Sequence, residues 1–174
     1  MKRILSFLLI LIVFNTTLFS QINTNRVMMM GRNALYYEDY VLAIQRFNSV
    51  ITAKPYLSDP YFFRGLAKFY LEDYAGAEAD CSLALDRRPY NAQYYTLRGL
   101  CRVHMERYDL AVEDYHAALH QNPMERNNWH NMVLCYMELE QYERADSALD
   151  SMMALWPRES VQCTMKAQVS LALK

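Results

Sequence analysis

Glycine and proline are scarce in this chain of 174 residues, at 4 and 5, which removes the turn material that an all-β protein needs. No C-x-x-C occurs among its 4 cysteines, so neither a zinc motif nor a thiol redox motif is indicated. A glycine-rich phosphate loop, a nucleophile elbow and the metalloprotease H-E-x-x-H are likewise missing. Basic charge is not in surplus: 18 Lys and Arg stand against 19 Asp and Glu, a net −1. The electrostatic footprint of a nucleic-acid binder is therefore absent. The apolar run Ile4 to Phe14, broken by Ser6, holds 11 residues, well short of the roughly 20 that a membrane-spanning helix needs.

What is present is globular in character. Hydrophobic residues make up 53% and charged ones 21%, enough for one domain with a sizeable core. Tyr at 14 and Met at 11 suit interfaces that are apolar and adaptable in shape. Lys2 and Arg3, the short apolar run and the small Ser20 describe a secretory signal peptide over residues 1–20, with cleavage expected before Gln21. Its removal takes away two basic residues and no acidic one, leaving 16 against 19 and a net −3. The mature chain is expected to be exported, to the periplasm or beyond, and to lack a membrane span; an uncleaved N-terminal anchor is the alternative.

Pro55, Pro89, Pro123 and Pro157 lie 34 residues apart, as do Gly31, Gly65 and Gly99. Ala43, Ala77, Ala111 and Ala145 keep the same step, and so do Tyr40, Tyr74, Tyr108 and Tyr142, each two residues after a glutamate. Self-similarity of this length signals stacked supersecondary units. The units are 24–57, 58–91, 92–125 and 126–159. With each unit numbered from place 1, places 20, 24 and 27 hold Ala43, Phe47 and Val50, or Ala111, Tyr115 and Ala118, one face of a helix. Places 4, 8 and 11 form a second such stripe. Each unit is thus predicted to be two helices joined near places 15–17, and proline closes one unit before the next begins. Small residues at places 8 and 20 let the two helices approach.

These residues resemble the tetratricopeptide repeat, the W/Y-x₂-L-G-x₂-Y … A-x₃-F/Y-x₂-A … P pattern of 34 residues, over residues 24–159. The resemblance implies an all-α solenoid of four helix-turn-helix repeats, with residues 160–174 as a lone C-terminal capping helix. Departures are Ala34 and Lys68, where an aromatic is usual, and Val133 in place of the last glycine. Val133 is expected to widen the crossing of the fourth hairpin.

Proteins similar to this one hold a peptide on the stripe at places 2, 5, 9, 12 and 13 of the first helices. Residue by residue, that stripe supplies the candidate groove: Arg32, Tyr36, Phe62, Leu66, Phe69, Tyr70, Leu100, His104, His130, Leu134 and Met137. Some relatives grip a C-terminal carboxylate with Lys at place 5 and Asn at place 9. Here those places hold Met28, Phe62, Thr96, His130 and Arg32, Leu66, Leu100, Leu134, which does not support such a clamp. A mostly apolar groove favours an apolar peptide or helix. The function expected is a non-enzymatic protein-binding scaffold without cofactor; the alternative is a structural module that self-assembles through apolar surface near the C-terminal helix.

The remaining chemistry-bearing residues read as structural. Cys101 and Cys135 share place 10 on neighbouring helices, about 8–10 Å apart, too far for a disulfide, so buried free thiols are expected. His116 and His120 have metal-compatible spacing on one helix but no third ligand, and are expected to be solvated. His104 and His130 lie eight positions apart once the units are superimposed, about 12 Å along a helix, so they do not form a pair. The acids Glu113 and Asp114 are expected on the solvated outer face.

Overall fold

The computed structural model describes residues 23–157 and 160–173; the export signal read at residues 1–20 lies outside the described residues. Nine helices and no strand occur among the described residues. They are α1 (Thr24–Tyr36), α2 (Tyr40–Ala53), α3 (Asp59–Tyr70), α4 (Tyr74–Arg87), α5 (Ala92–His104), α6 (Tyr108–Gln121), α7 (Arg126–Glu138), α8 (Tyr142–Leu155) and α9 (Ser160–Ala172). Each packs on its neighbours in sequence, and α1 touches α3 as α3 touches α5. The first helix of each hairpin therefore belongs to a shared layer, with the second helices outside it.

The turn inside every hairpin has one chemistry. Asp39 N–H donates to the Ala34 carbonyl and Glu38 N–H to that of Leu35. The same two bonds recur at Asp73 and Glu72, Arg107 and Glu106, and Gln141 and Glu140. This is the Schellman closure of a helix, whose left-handed position glycine normally takes. Here Glu38, Glu72, Glu106 and Glu140 occupy it with φ of 61°, 63°, 58° and 56°, a conformation that costs an L-residue about 1–2 kcal/mol. The next residue then caps the second helix where it is acidic: Asp39 accepts from Leu42 N–H, and Asp73 from Gly76 N–H.

The small places do what their spacing predicts. A Cβ on Gly31 would lie 2.6 Å from Phe47 Cε1, and one on Gly99 3.0 Å from Tyr115 Cε1. In the fourth hairpin Val133 meets Leu149, both fully buried, so a smaller partner takes up part of the added bulk. That hairpin is still less extensively paired than the first three.

Polar interlocks run through the middle of the array, and they revise the expectation for Asp114. Asp80 and Asp114, both at place 23, are almost fully buried. Arg64 and Lys68 reach Asp80, Lys68 Nζ standing 2.9 Å from Oδ2. Arg98 and Arg102 reach Asp114, Arg98 Nη2 at 2.7 Å and Arg102 Nη1 at 3.0 Å. Each place-7 arginine also bonds back to the preceding second helix: Arg64 to Asn48 at 2.7 Å and Arg98 to Ser82 at 3.2 Å. Asp114 is therefore an internal anion, not a solvated one, because the first helix of its own unit brings two cations onto it. Lys68, out of place as an aromatic, is in place as Asp80's partner.

α9 seals the far end. Met165 and Val169 are buried in one cluster with Leu149 and Met152 of α8. Leu171, two residues from Val169 and so on the opposite flank of the helix, stays exposed at 71%, as does Leu173 just past the end of α9.

Candidate functional site

The first helices carry the predicted stripe, but they do not leave all of it free. Arg32, Tyr36, Tyr70, His104 and Leu134 are exposed, Tyr36 at 81% and Tyr70 at 54%. Phe62, Leu66, Phe69, Leu100, His130 and Met137 are half-buried. Phe62 stacks near Phe63 and Tyr94, with ring centroids 5.2 and 4.9 Å away. Phe62 also shares a cluster with Leu66 and Phe69 against Cys81, Leu97 and Cys101. Those three side chains are mainly glue between the second and third units, and Met137 packs likewise into the last core cluster. Three of the predicted residues, Phe69, Tyr70 and His104, come together along one edge. Tyr70 stacks on Tyr40 at 5.1 Å and His104 on Tyr74 at 4.3 Å, with Phe69 edge-on to Tyr70, Tyr74 and His104. The rule is simple: place 13 of one unit stacks on place 17 of the unit before. Burial and the charge of Glu38 raise the Tyr40 hydroxyl above its ordinary pKa.

A cleft of about 540 Å³ opens between α1 and α3. One wall is Asn25, Met28, Met29, Arg32 and Asn33 of α1; the other is Leu57, Ser58, Asp59, Pro60 and Phe63, with Arg88 at the rim. Arg32 lies with its guanidinium carbon 5.0 Å from the Phe63 ring centroid, a cation–π contact. No carboxylate pairs with it among the described residues. Arg88 is loosely tied to Asp59 at 3.4 Å, and Asp59 also accepts from the Tyr94 hydroxyl at 2.6 Å. The cleft thus offers one unneutralised guanidinium on an aromatic floor beside methionine and leucine side chains. The stripe contained Asn25, Met28, Arg32 and Asp59 but missed Phe63, Asn33 and Arg88. Arg88 sits in the link before Pro89, off any helical stripe, and no periodicity points to it.

Other expected features fall as follows. Cys81, Cys101 and Cys135 are free and buried, whereas Cys163 is free and exposed. Burial pushes Cys101 up to about 12 and Cys135 to about 11, which leaves both as inert thiols. His116 and His120 are exposed, as expected; His116 also bonds Tyr136 Oη at 2.8 Å, because Tyr136 at place 11 of the fourth unit reaches across to α6.

No family model matches the chain, and no curated protein does. Solved structures do. A crystal structure of MamA superposes with a TM-score of 0.80 at 15% identity, covering 86% of this chain and 81% of that one. The first TPR of Spaghetti (RPAP3), bound to the HSP90 peptide SRMEEVD, gives 0.65 at 24% identity, over 67% of this chain and 94% of that one. The Arabidopsis OM64 TPR domain gives 0.64 at 22%, over 66% and 94%. The likeness is one of fold: the chain is a solenoid of the tetratricopeptide type.

Proposed function

We propose that the chain is a non-enzymatic interaction scaffold that holds a peptide or protein segment along its first helices, with an acidic group of the ligand at Arg32. The observation that carries this reading is the unneutralised Arg32 on Phe63, in a cleft whose walls mix Met28, Met29, Leu57 and Pro60 with polar side chains; exposed Tyr36 and Tyr70 end the same two helices, α1 and α3. A guanidinium already seated on a ring gains a charge-assisted bond from a carboxylate, while Met28 and Met29 adapt to the neighbouring side chain. RPAP3, a neighbour in fold, is bound to an acidic peptide, which agrees with that ligand chemistry. The Lys and Asn of the known clamp are absent, so the carboxylate grip here is a different one.

Titration with a panel of labelled peptides checks it. Peptides that join an acidic to a large apolar residue are expected to bind; Arg32→Glu weakens them about tenfold or more, and Tyr70→Arg weakens them too. Both positions are exposed, so neither change disturbs the core. Undiminished binding in both variants would remove the cleft from the function. Residues 1–20 place this activity outside the cytoplasm in the same proposal, and the mass of the exported protein is expected to match a chain beginning at Gln21. A full-length mass in that fraction would favour the anchored form.

A further inference from the structure

Consecutive second helices of the array are separated by grooves floored by a first helix; two of these three grooves hold ion pairs, and the far end repeats the pattern. Over α3, Arg64 and Lys68 rise to Asp80 of α4. Over α5, Arg98 and Arg102 rise to Asp114 of α6. At the far end, Lys166 of α9 reaches Asp146 and Asp150 of α8, at 2.7 and 2.6 Å. In each the floor supplies the cation and the wall the carboxylate.

The groove between α6 and α8, floored by α7, inverts this arrangement. Places 7 and 23 hold Met132 and Ala148, so the buried cation and its carboxylate are both gone. Place 11 is Tyr136, a neutral phenol. The positive charge comes from the wall instead: Arg144 of α8 lies with its guanidinium carbon 5.7 Å from the Tyr136 ring centroid and bonds Gln141 Oε1 at 3.0 Å. It pairs with no carboxylate among the described residues. His116 of α6 closes the other side through its 2.8 Å bond to Tyr136 Oη. Around these three residues the groove is hollow. One half holds Asp109 and Glu113. The other, of about 250 Å³, is lined by His116, Trp129, Tyr136, Arg144, Ser147 and Ser151 with Met132 and Ala148 beneath, and no acid enters it.

We propose that this acid-free half binds a small oxyanion, a carboxylate or a phosphate group, between Arg144, His116 and the Tyr136 hydroxyl. The ligand takes the part that Asp80 and Asp114 play inside the neighbouring units. Arg144 donates to it directly. With Nε2 protonated, His116 donates its N–H to the Tyr136 oxygen, which turns the phenolic hydrogen toward the anion. The site is independent of the α1–α3 cleft. His116 also reports on it: burial, then the charge of Arg144, holds its pKa below the ordinary 6.5. The titratable groups facing it are Asp109 and Glu113 on α6, Tyr136 on α7 and Arg144 on α8; a bound anion adds negative charge to that set and so raises the His116 pKa.

Following the His116 ring by NMR across a pH titration provides the test, with sodium phosphate, sodium acetate or sodium chloride at equal ionic strength. Phosphate or acetate is expected to raise the His116 pKa in a saturable way that chloride does not match; whichever saturates at lower concentration identifies the group. Arg144→Gln, at an exposed position, lowers that affinity about tenfold or more. Ala148→Asp restores the carboxylate found in the other units, and is expected to raise the His116 pKa unaided and abolish the response to added anion. Chloride acting as strongly as the oxyanions, or Arg144→Gln responding like the parent, overturns the proposal.

Discussion

Asp114→Ala is expected to lower the unfolding free energy by about 3–5 kcal/mol, while the pair of changes Arg98→Met and Asp114→Ala recovers most of that loss. The single change strands Arg98 in a protein interior with its partner removed. Burial alone disfavours charge on Arg98, and the hydrogen bonds it donates to Asp114 more than offset it, so the guanidinium pKa sits above its ordinary value. For Asp114 burial also comes first and raises the carboxyl; Arg98 and Arg102 pull it back only in part. An ion pair that barely repays its own desolvation is weak glue, yet breaking one side of it is costly. The protein already contains the apolar solution, since Met132 and Ala148 fill the same two places one unit on. Arg102 keeps Glu78 as a partner at 2.8 Å in either variant. Urea unfolding of the two variants, compared at unchanged m-value, decides the matter. A single variant no less stable than the double would mean that the buried carboxylate is not what holds Arg98.

Val169→Asp is expected to be as damaging, but in one place only. Val169 is fully buried against the last core cluster, and an unpaired carboxylate there loses its hydration for nothing in return. The helix α9 then detaches, and the apolar flank of α8 around Leu149 and Met152 meets water. In a stack where each unit touches only its neighbours, such damage stays near the end that suffers it. Hydrogen exchange should show α7 to α9 losing protection by several kcal/mol while amides in α3 and α4 keep theirs. Equal loss of protection along the whole chain would show the units to be one cooperative block.

Much of this architecture is written in the spacing. A proline and a glycine that return every 34 residues, with alanine and tyrosine in step, announce hairpins, and the core faces at places 20, 24 and 27 follow from 3.6-residue geometry. Asp114 was misplaced because a single helix read alone puts place 23 beside the core stripe, not in it. Only the first helix of the same unit, laid across it, turns that position inward. A stripe shows direction but not how far the next unit overlaps it, so it does not tell that Phe62, Leu66 and Phe69 are half-buried against the third unit. Arg88 lies in a link outside both helical stripes, and the His116–Tyr136 bond joins different units at unrelated places, so a periodic reading has no means of finding either. The turn glutamates were noticed as a repeat, but not that they take up glycine's left-handed conformation; that follows only from the closing bonds around them.

Arg64 and Arg98 each fasten three helices at once, and they do so only in the interior of the array. Met30 and Met132 stand at the same place in the end units, so these three-helix rivets sit at the waist of the array alone. The ligand proposed for Arg32 would then rest on a unit whose own place 7 is Met30 and carries no such fastening.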